Sequence, residues 1–456
     1  MVYKKNMISS TPFNNSLEVF EWLQGFINFE KDPSSKFFRL ERMEALAALA
    51  GNPEKAIPAV HVAGSKGKGS VTGMAAAIME AAGLRTARYT SPHVSDFRER
   101  LCYNSRFFEE GIYAKTGNAL RSIIESFLKT EEEPSFFELM TLWFFLCARD
   151  SDCRAMAVET GMGGRLDATN ILISPLVTAI TVIELEHTEY LGQTIAAIAG
   201  EKAGIIKPGR PLVLAEQKPE ALEVFRYRAS EMDSPLYYFP ECGQLNNIKI
   251  SKNGTKFDLE LKNPVPFALA DLQIPIPGEV QAKNAGLAVL SARLAFPNIG
   301  EKAVREGLRG FTLPARFEKL WDDPVTIIDG AHTQRSIDEC AKTFASLYGE
   351  GGILIFGCVA GKDAAAMAQV LMPHFSHIII TMPGTFKKSH SKDVYDVFLG
   401  RKKGNSIEPD ILFYPETDGA ISRALDLGKA SGLPILGAGS FYLAAEIRRR
   451  YLEQLH

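Results

Sequence analysis

Residues 57–83 read IPAVHVAGSKGKGSVTGMAAAIMEAAG, and the succession of textures in this stretch decides the fold. The opening IPAVHVAG is a continuous apolar run, the pattern of a strand buried on both faces. The glycine-rich turn that follows gives way to a segment of helical composition, which stops at Gly83, a residue suited to the left-handed position after a helix. A strand that passes through such a turn into a helix aims backbone N–H groups and the positive helix end at one point, where a phosphate chain would sit. Gly64, Ser65, Lys66, Gly67, Lys68, Gly69 and Ser70 form this candidate loop, with Lys68 as the point charge for the β- and γ-phosphates. The loop departs from G-x-x-x-x-G-K-[ST] at one place. Gly69 follows Lys68, and the hydroxyl that would bind magnesium comes one position later, at Ser70.

On the amino-terminal side lie two amphipathic segments, 17–29 and 40–50, and a turn at Gly51-Asn52-Pro53. On the other side, AMAVE (155–159) and LVTAITVIE (176–184) alternate with helix-like FFELMTLWFFLCARD (136–150) and TIAAIAGEKAGII (194–206). That alternation predicts a mostly parallel sheet covered by helices. Between about 238 and 275 the period drops to two, with Asn253-Gly254 at the tip of a hairpin, which predicts a small β appendage. From Val325 onward five strand-like runs alternate with helix-length segments, predicting a second, Rossmann-like doubly wound unit of about 130 residues. Pro314 resists helix continuation, so the boundary falls near Thr312–Pro314 and divides the chain into 1–312 and 313–456. The fold class is α/β, with an N-terminal P-loop unit and a ligand site expected between the two units.

Composition narrows the function. The 456 residues are 46% apolar and 23% charged, a globular balance with no case for disorder. With 51 basic and 54 acidic residues the net charge is −3, which offers no global attraction to nucleic acid or to an anionic membrane. An anionic ligand must be held locally. The six cysteines form no C-x-x-C pair, which points to a reducing, cytoplasmic setting. MVYKKNMISSTPF at the amino terminus lacks an apolar h-region, and the densest apolar run, Leu139–Ala148, spans 10 residues. Neither export nor a membrane span is read from these features.

Three further loops carry candidate chemistry. Glu159 ends an apolar strand and enters Thr160-Gly161-Met162-Gly163-Gly164, a placement that suits a hard cation. Glu184, Glu186 and His187 follow the next strand, near the edge where ligands of such sheets bind. In the C-terminal unit Asp329 and His332 follow the first strand, and Arg316 lies beside the hinge, within reach of phosphates on another unit. Gly437-Ala438-Gly439-Ser440 has too little chain after it to complete a dinucleotide fold. Lys202 stands among Ile198, Ala199, Ala203, Ile205 and Ile206, where burial would lower its pKa and favour a neutral amine. Read alone, these residues leave open a P-loop phosphotransferase or NTPase and a non-catalytic nucleotide-binding module, which would not need the acids.

Taken in order, LERMEALAALAGNPEKAIPAVHVAGSKGKGS, TSPHVSDFRERL, VETGMGGRLDATN, EHTEYLGQTIAAIAGEKAGIIKPG, GEVQAKNAGLAV, LPARFE, DGAHT and GAGSFYLAAEIR resemble the folylpolyglutamate synthase and dihydrofolate synthase family of Mur-type ATP-dependent amide ligases, over nearly the whole chain. The resemblance implies that Lys68 and its loop cradle ATP and that Asn284, Arg316 and Asp329 contact the nucleotide. It implies one magnesium on Ser91, Glu159 and His187, and a second on Lys202 as a carbamate. Lys68, Lys202, Asp329 and His332 become the residues of catalysis, with His332 and Ser440 around the incoming glutamate. The implied substrates are ATP, L-glutamate and a folate or dihydropteroate, the implied products ADP and phosphate, formed through an acyl phosphate by a monomer. The chain departs from many bacterial members at Ser65-Lys66, Glu186 and Thr333. Within the class, a peptidoglycan-precursor ligase is the nearest alternative, and a screen of UDP-sugar substrates separates it.

Overall fold

Strand β1, Ala59–Ala63, is buried at every position, as a strand in the middle of a parallel sheet covered on both faces must be. It lies at the centre of an eight-stranded sheet in the computed structural model. Its partners are β2 (Thr86–Tyr89), β3 (Leu101–Tyr103), β4 (Arg106–Phe107), β5 (Ala155–Glu159), β6 (Val177–Ile180), β7 (Leu212–Leu214) and β8 (Leu236–Tyr238), in the order β4-β3-β2-β5-β1-β6-β7-β8. All pairings are parallel except β2 with β3 and β3 with β4. Val62 sits opposite Glu159 in the register, which puts the carboxylate that ends β5 beside the start of the Gly64 turn. The structure describes residues 11–28, 39–103, 105–129, 132–262, 265–401 and 408–454. Met1–Ser10, which enter the reading of the amino terminus, and Phe29, the predicted end of the first amphipathic segment, lie outside them.

The helix after the glycine turn, Lys68–Ala81, is almost wholly buried. Its small residues permit this: a Cβ on Gly73 would meet the Phe311 ring at 2.4 Å, and one on Gly307 of the helix Glu301–Gly310 would meet the backbone of Ala77 and Ile78. The helix Phe136–Asp150 covers the other face, and a reciprocal cap between Ser135 and Glu138 starts it. Strands β9 (Gly243–Ser251), β10 (Gly254–Leu261) and β11 (Phe267–Ile274) make the expected appendage, an antiparallel meander. Ser251 pairs with Gly254, so the two-residue turn is Lys252-Asn253, one position earlier than predicted.

The C-terminal sheet runs β12-β13-β17-β14-β15-β16, formed by Glu318–Asp322, Val325–Ile328, Ile435–Ala438, Gly352–Phe356, Phe375–Ile380 and Asp410–Phe413. Only β12 is antiparallel. Strands β2, β3, β4, β7, β8 and β12 are not among the expected ones; of these β4, β8 and β12 stand at sheet edges. The third strand-like run of the first unit, expected to reach Glu184, is shorter in the structure. There β6 stops at Ile180, because the Val182 carbonyl beyond it turns to accept the N–H groups of Ser65 and Lys66 (3.0 and 3.3 Å). The two first helices are Ser16–Leu23 and Leu40–Leu49.

The joint between the units has two unusual features. Arg316 stands between Ala315 and Phe317, both left-handed (φ 54° and 45°) although neither is glycine. At the hairpin tip, Lys252 Nζ lies 4.8 Å from the Tyr348 ring of the C-terminal unit. All six cysteines are buried and unpaired, and no described helix is long and apolar enough to cross a membrane.

Candidate active site

The phosphate loop is fastened from behind. Ser65 Oγ donates to the Glu184 carbonyl (3.1 Å), and Gly67, at φ 91°, turns the chain into the helix that begins at Lys68. A side chain at 67 would collide with Asn284, whose Oδ1 would lie 2.6 Å from its Cβ. Asn284 thus stands beneath the loop, buried, on the helix Glu279–Ala295. The Gly64 carbonyl accepts from both Lys68 Nζ (3.0 Å) and Lys202 Nζ (2.8 Å). Lys202 also donates to Glu186 Oε1 at 3.1 Å, and Lys66 Nζ is 3.9 Å from the other oxygen of that carboxylate. Burial alone would push Glu186 up, but Lys68, Lys202 and Lys66 outweigh it and hold the carboxyl down at about 2. Lys202, 1% exposed at the end of the helix Ile195–Ala203, is lowered to about 8, first by burial and then by Lys68, with Glu186 opposing.

Glu159 lies on the opposite side of the helix start. A Cβ on Gly69 would lie 3.4 Å from its Oε2, an ordinary contact distance, so Glu159 stands directly beside this turn of the helix. The Ser91 N–H donates to the same oxygen at 3.2 Å. Burial raises Glu159 to about 7, against the pull of Lys68, the Ser91 amide and Arg316. His187, left-handed at φ 47°, precedes the short helix Thr188–Leu191 and lies seven residues past β6 rather than at its end. The residue is exposed at the cleft, but desolvation by the surrounding walls lowers it to about 4, so its imidazole is neutral near pH 7. Among the described residues no three His, Cys, Asp or Glu side chains form a metal cage. A carboxylate, a serine and a neutral imidazole around the head of a phosphate-binding helix do suit Mg²⁺, which takes few protein ligands and shares substrate phosphates.

The C-terminal unit supplies the facing wall. Arg316 is half-buried with its guanidinium 4.1 Å from the Phe441 ring, and desolvation lowers it while Asp329 and Glu159 oppose. Asp329 holds the bend around it: its two oxygens accept the N–H groups of Phe317 (2.8 Å) and Ala331 (2.7 Å). His332 Nδ1 lies 2.8 Å from the Gly330 carbonyl, which can only accept, so Nδ1 carries the hydrogen and Nε2 keeps a lone pair. Burial lowers this histidine to about 3. Ser440 caps the helix Phe441–Glu453, its Oγ accepting from the Tyr442 N–H.

A cleft of about 540 Å³ joins the two walls. Ser65 to Gly69, Ser91, Glu159, His187, Arg316, His332 and Ser440 line it. Gly64, Ser70, Asn284, Lys202 and Asp329 do not; they support the loop, Glu186 or Arg316 from behind. Lining residues not anticipated from the sequence include Lys362 and Lys387 on the C-terminal wall, and Arg42 and Phe137 on the other. Lys362 and Lys387 follow strands β14 and β15 in the chain, the same strand-end signal that singled out Asp329.

Comparison with known proteins agrees with this fold. Residues 62–292 match the Mur ligase middle domain and residues 315–441 the Mur ligase glutamate ligase domain. The dihydrofolate synthase/folylpolyglutamate synthase of Bacillus subtilis is 32% identical, covering 94% of this chain and 97% of its own. The folylpolyglutamate synthase of Lacticaseibacillus casei is 30% identical over 90% and 94%. Among solved structures, the Mycobacterium tuberculosis folylpolyglutamate synthase complexed with ADP superposes with a TM-score of 0.85 at 28% identity, over 96% of this chain and 98% of that one. An FPGS–AMPPCP–folate complex gives 0.81 at 28%, over 96% and 100%. With both Mur ligase modules in sequence and relatives that align from end to end, the chain belongs to the folylpolyglutamate synthase/dihydrofolate synthase family of ATP-dependent ligases.

Proposed function

We propose that this chain joins L-glutamate to the carboxylate of a reduced folate, with dihydropteroate as a second acceptor, while ATP is converted to ADP and phosphate. The observation that carries the reading is the two-walled cleft, with Lys68 and Glu159 on one side and His332 and Ser440 on the other. An acceptor carboxylate oxygen attacks the γ-phosphorus, ADP departs, and an acyl phosphate remains. The amine of glutamate then attacks the acyl carbon, phosphate leaves, and the amine loses a proton. Lys68 and Arg316 neutralise the phosphates, and alignment in a closed cleft supplies much of the rate. The unprotonated Nε2 of His332 is suited to hold the incoming amine. Ser91, Glu159 and His187 would hold Mg²⁺, which when bound offsets charge on the transferring phosphoryl group. The buried, pKa-lowered amine of Lys202 suits addition to CO₂, with release of one proton, to give an anionic carbamate that serves a second cation.

This reading divides the chain at 312/313, and because one copy supplies both walls it needs no second subunit; a cytoplasmic monomer is the proposed form. Its test is stoichiometry with an isotope. ADP and orthophosphate should appear in step with glutamate incorporated, and oxygen-18 from the folate carboxylate should appear in the phosphate. AMP with pyrophosphate, unlabelled phosphate, or ATP turnover indifferent to glutamate would contradict it.

A further inference from the structure

Outside the cleft, Arg448 is one of the residues that tie the two units together. Arg448 lies on the helix Phe441–Glu453, and its Nε donates to Glu318 Oε1 at 3.0 Å. Its Nη1 crosses to the N-terminal unit, donating to Ser95 Oγ at 2.7 Å and lying 3.9 Å from Glu99 Oε1. Each partner carries the contact further. The second oxygen of Glu318 accepts the Ala315 N–H (2.8 Å), next to Arg316. Glu99 gathers the turn of its own loop, accepting from the N–H groups of Val94 (2.7 Å) and Ser95 (3.2 Å), and that loop begins at Ser91, whose amide meets Glu159. The Val94 side chain packs onto the apolar cluster of the C-terminal unit. All three charged groups are partly shielded, at 21%, 24% and 17% exposure, so the contacts are screened less than surface pairs.

We propose that Arg448 is a positioning residue for ligation, coupling the Ala315–Phe317 linker to the Ser91–Glu99 loop so that Arg316 and Ser91 reach their places together only when the C-terminal unit is docked. The guanidinium suits this task because its planar fork serves two acceptors on different units at once, which an ammonium point charge does not. Arg448 itself does not line the cleft.

The proposal rests on the ligase reading, and its test has an arm that does not. In Arg448→Met, amide hydrogen exchange across residues 91–99 should quicken at least about threefold, the smaller end of what loss of a coupled polar contact does. Under saturating ATP and glutamate, kcat should fall by a similar factor, while ADP binding measured by calorimetry stays within about twofold. Ser95→Ala, which leaves the C-terminal helix untouched, should move exchange and kcat in the same direction. Arg448→Lys, whose donors all sit on one nitrogen rather than across a planar fork, should recover less than half of the loss. An arginine that merely braces its helix would lower the melting temperature and leave exchange at 91–99 and kcat unchanged, and that result would overturn the proposal. Equal losses in ADP binding and kcat would overturn it too. Should the unaltered protein ligate no glutamate, the ligase reading falls, and the exchange measurement still decides the role of Arg448.

Discussion

Lys68 is held by the Gly64 carbonyl at 3.0 Å, so its ammonium is placed before any phosphate arrives. No neutral side chain of similar reach could stabilise the β/γ oxygens, and Lys68→Ala should lose at least ~10²-fold in turnover, the scale of removing one electrostatic group. Near wild-type ligation would remove the ATP site from this loop. Lys202→Ala should be nearly inactive yet folded, and a short carboxylic acid added in solution should restore part of the rate by filling the vacated space; a folded variant with full activity would exclude the carbamate. His61, fully buried on β1, offers a pH test away from the cleft. Its Nε2 lies 2.8 Å from Thr169 Oγ1, whose hydroxyl donates to Asp167 Oδ1 (2.6 Å), and Nδ1 has no partner among the described residues. Burial, with Lys207 adding to it, lowers His61 to about 3. Below pH 6.5 the unfolded chain therefore takes up a proton that the folded chain refuses, and stability falls as pH drops from 6.5 towards 3. At pH 5.5 this amounts to about 1.4 kcal/mol. Urea unfolding at pH 7.5 and 5.5 should show a loss smaller by about 1 kcal/mol in His61→Gln, and an identical loss would refute the assignment. Lys68, Glu159 and His332 were legible because each follows a strand. The grip on Glu186 was not, since Lys66, Lys68 and Lys202 converge on it from two distant segments.

At the scale of elements, the helix Ile195–Ala203 delivers Lys202 by pressing backbone against backbone on the loop that follows Glu159. Arg165 N–H donates to the Glu201 carbonyl at 2.7 Å. A Cβ on Gly164 would lie 2.8 Å from that carbonyl and 3.0 Å from Lys202 Cα, and one on Gly204 would lie 2.4 Å from Arg165 Cα. Gly164→Ala must move the helix, and we expect a loss of about 1–3 kcal/mol in stability with ligation reduced at least about tenfold. A methyl group on Gly200, in the same helix, would meet nothing within 4 Å, so Gly200→Ala should instead gain about 0.5–1 kcal/mol and keep its activity. Melting curves and rates for the two variants check both statements, and similar behaviour of the pair would contradict the interlock. Strands β1, β5 and β6 and the parallel strands of the C-terminal unit could be read from the sequence because parallel strands buried on both faces are continuous apolar runs. The short strands β2, β3 and β7 and the edge strands β4, β8 and β12 were not read, and nothing in Leu313-Pro314-Ala315-Arg316-Phe317 announces two left-handed residues.

For the molecule as a whole, the cleft assigns different work to each unit. His332 belongs to the C-terminal wall and makes no hydrogen bond to the phosphate loop. His332→Ala should bind ADP within about twofold of the unaltered protein while losing at least ~10²-fold in ligation, again the scale of one removed polar group. A parallel loss of ADP binding, measured by calorimetry, would erase this division. That a cleft lies between the units was legible from the alternation restarting after Pro314. How the units meet was not, because Arg448, Arg335 and Lys252 reach across from surfaces that no periodicity marks. The linker has a mechanical consequence. Ala315 and Phe317 each hold a backbone conformation about 1–2 kcal/mol above the ordinary one, and they are kept there by carboxylates of their own unit, Glu318 and Asp329. Arg316 is therefore mounted on a sprung arm anchored to the C-terminal unit. Were that unit to swing away, the arm would travel with it, so that opening the cleft and withdrawing the Arg316 cation from its other wall would be a single stroke.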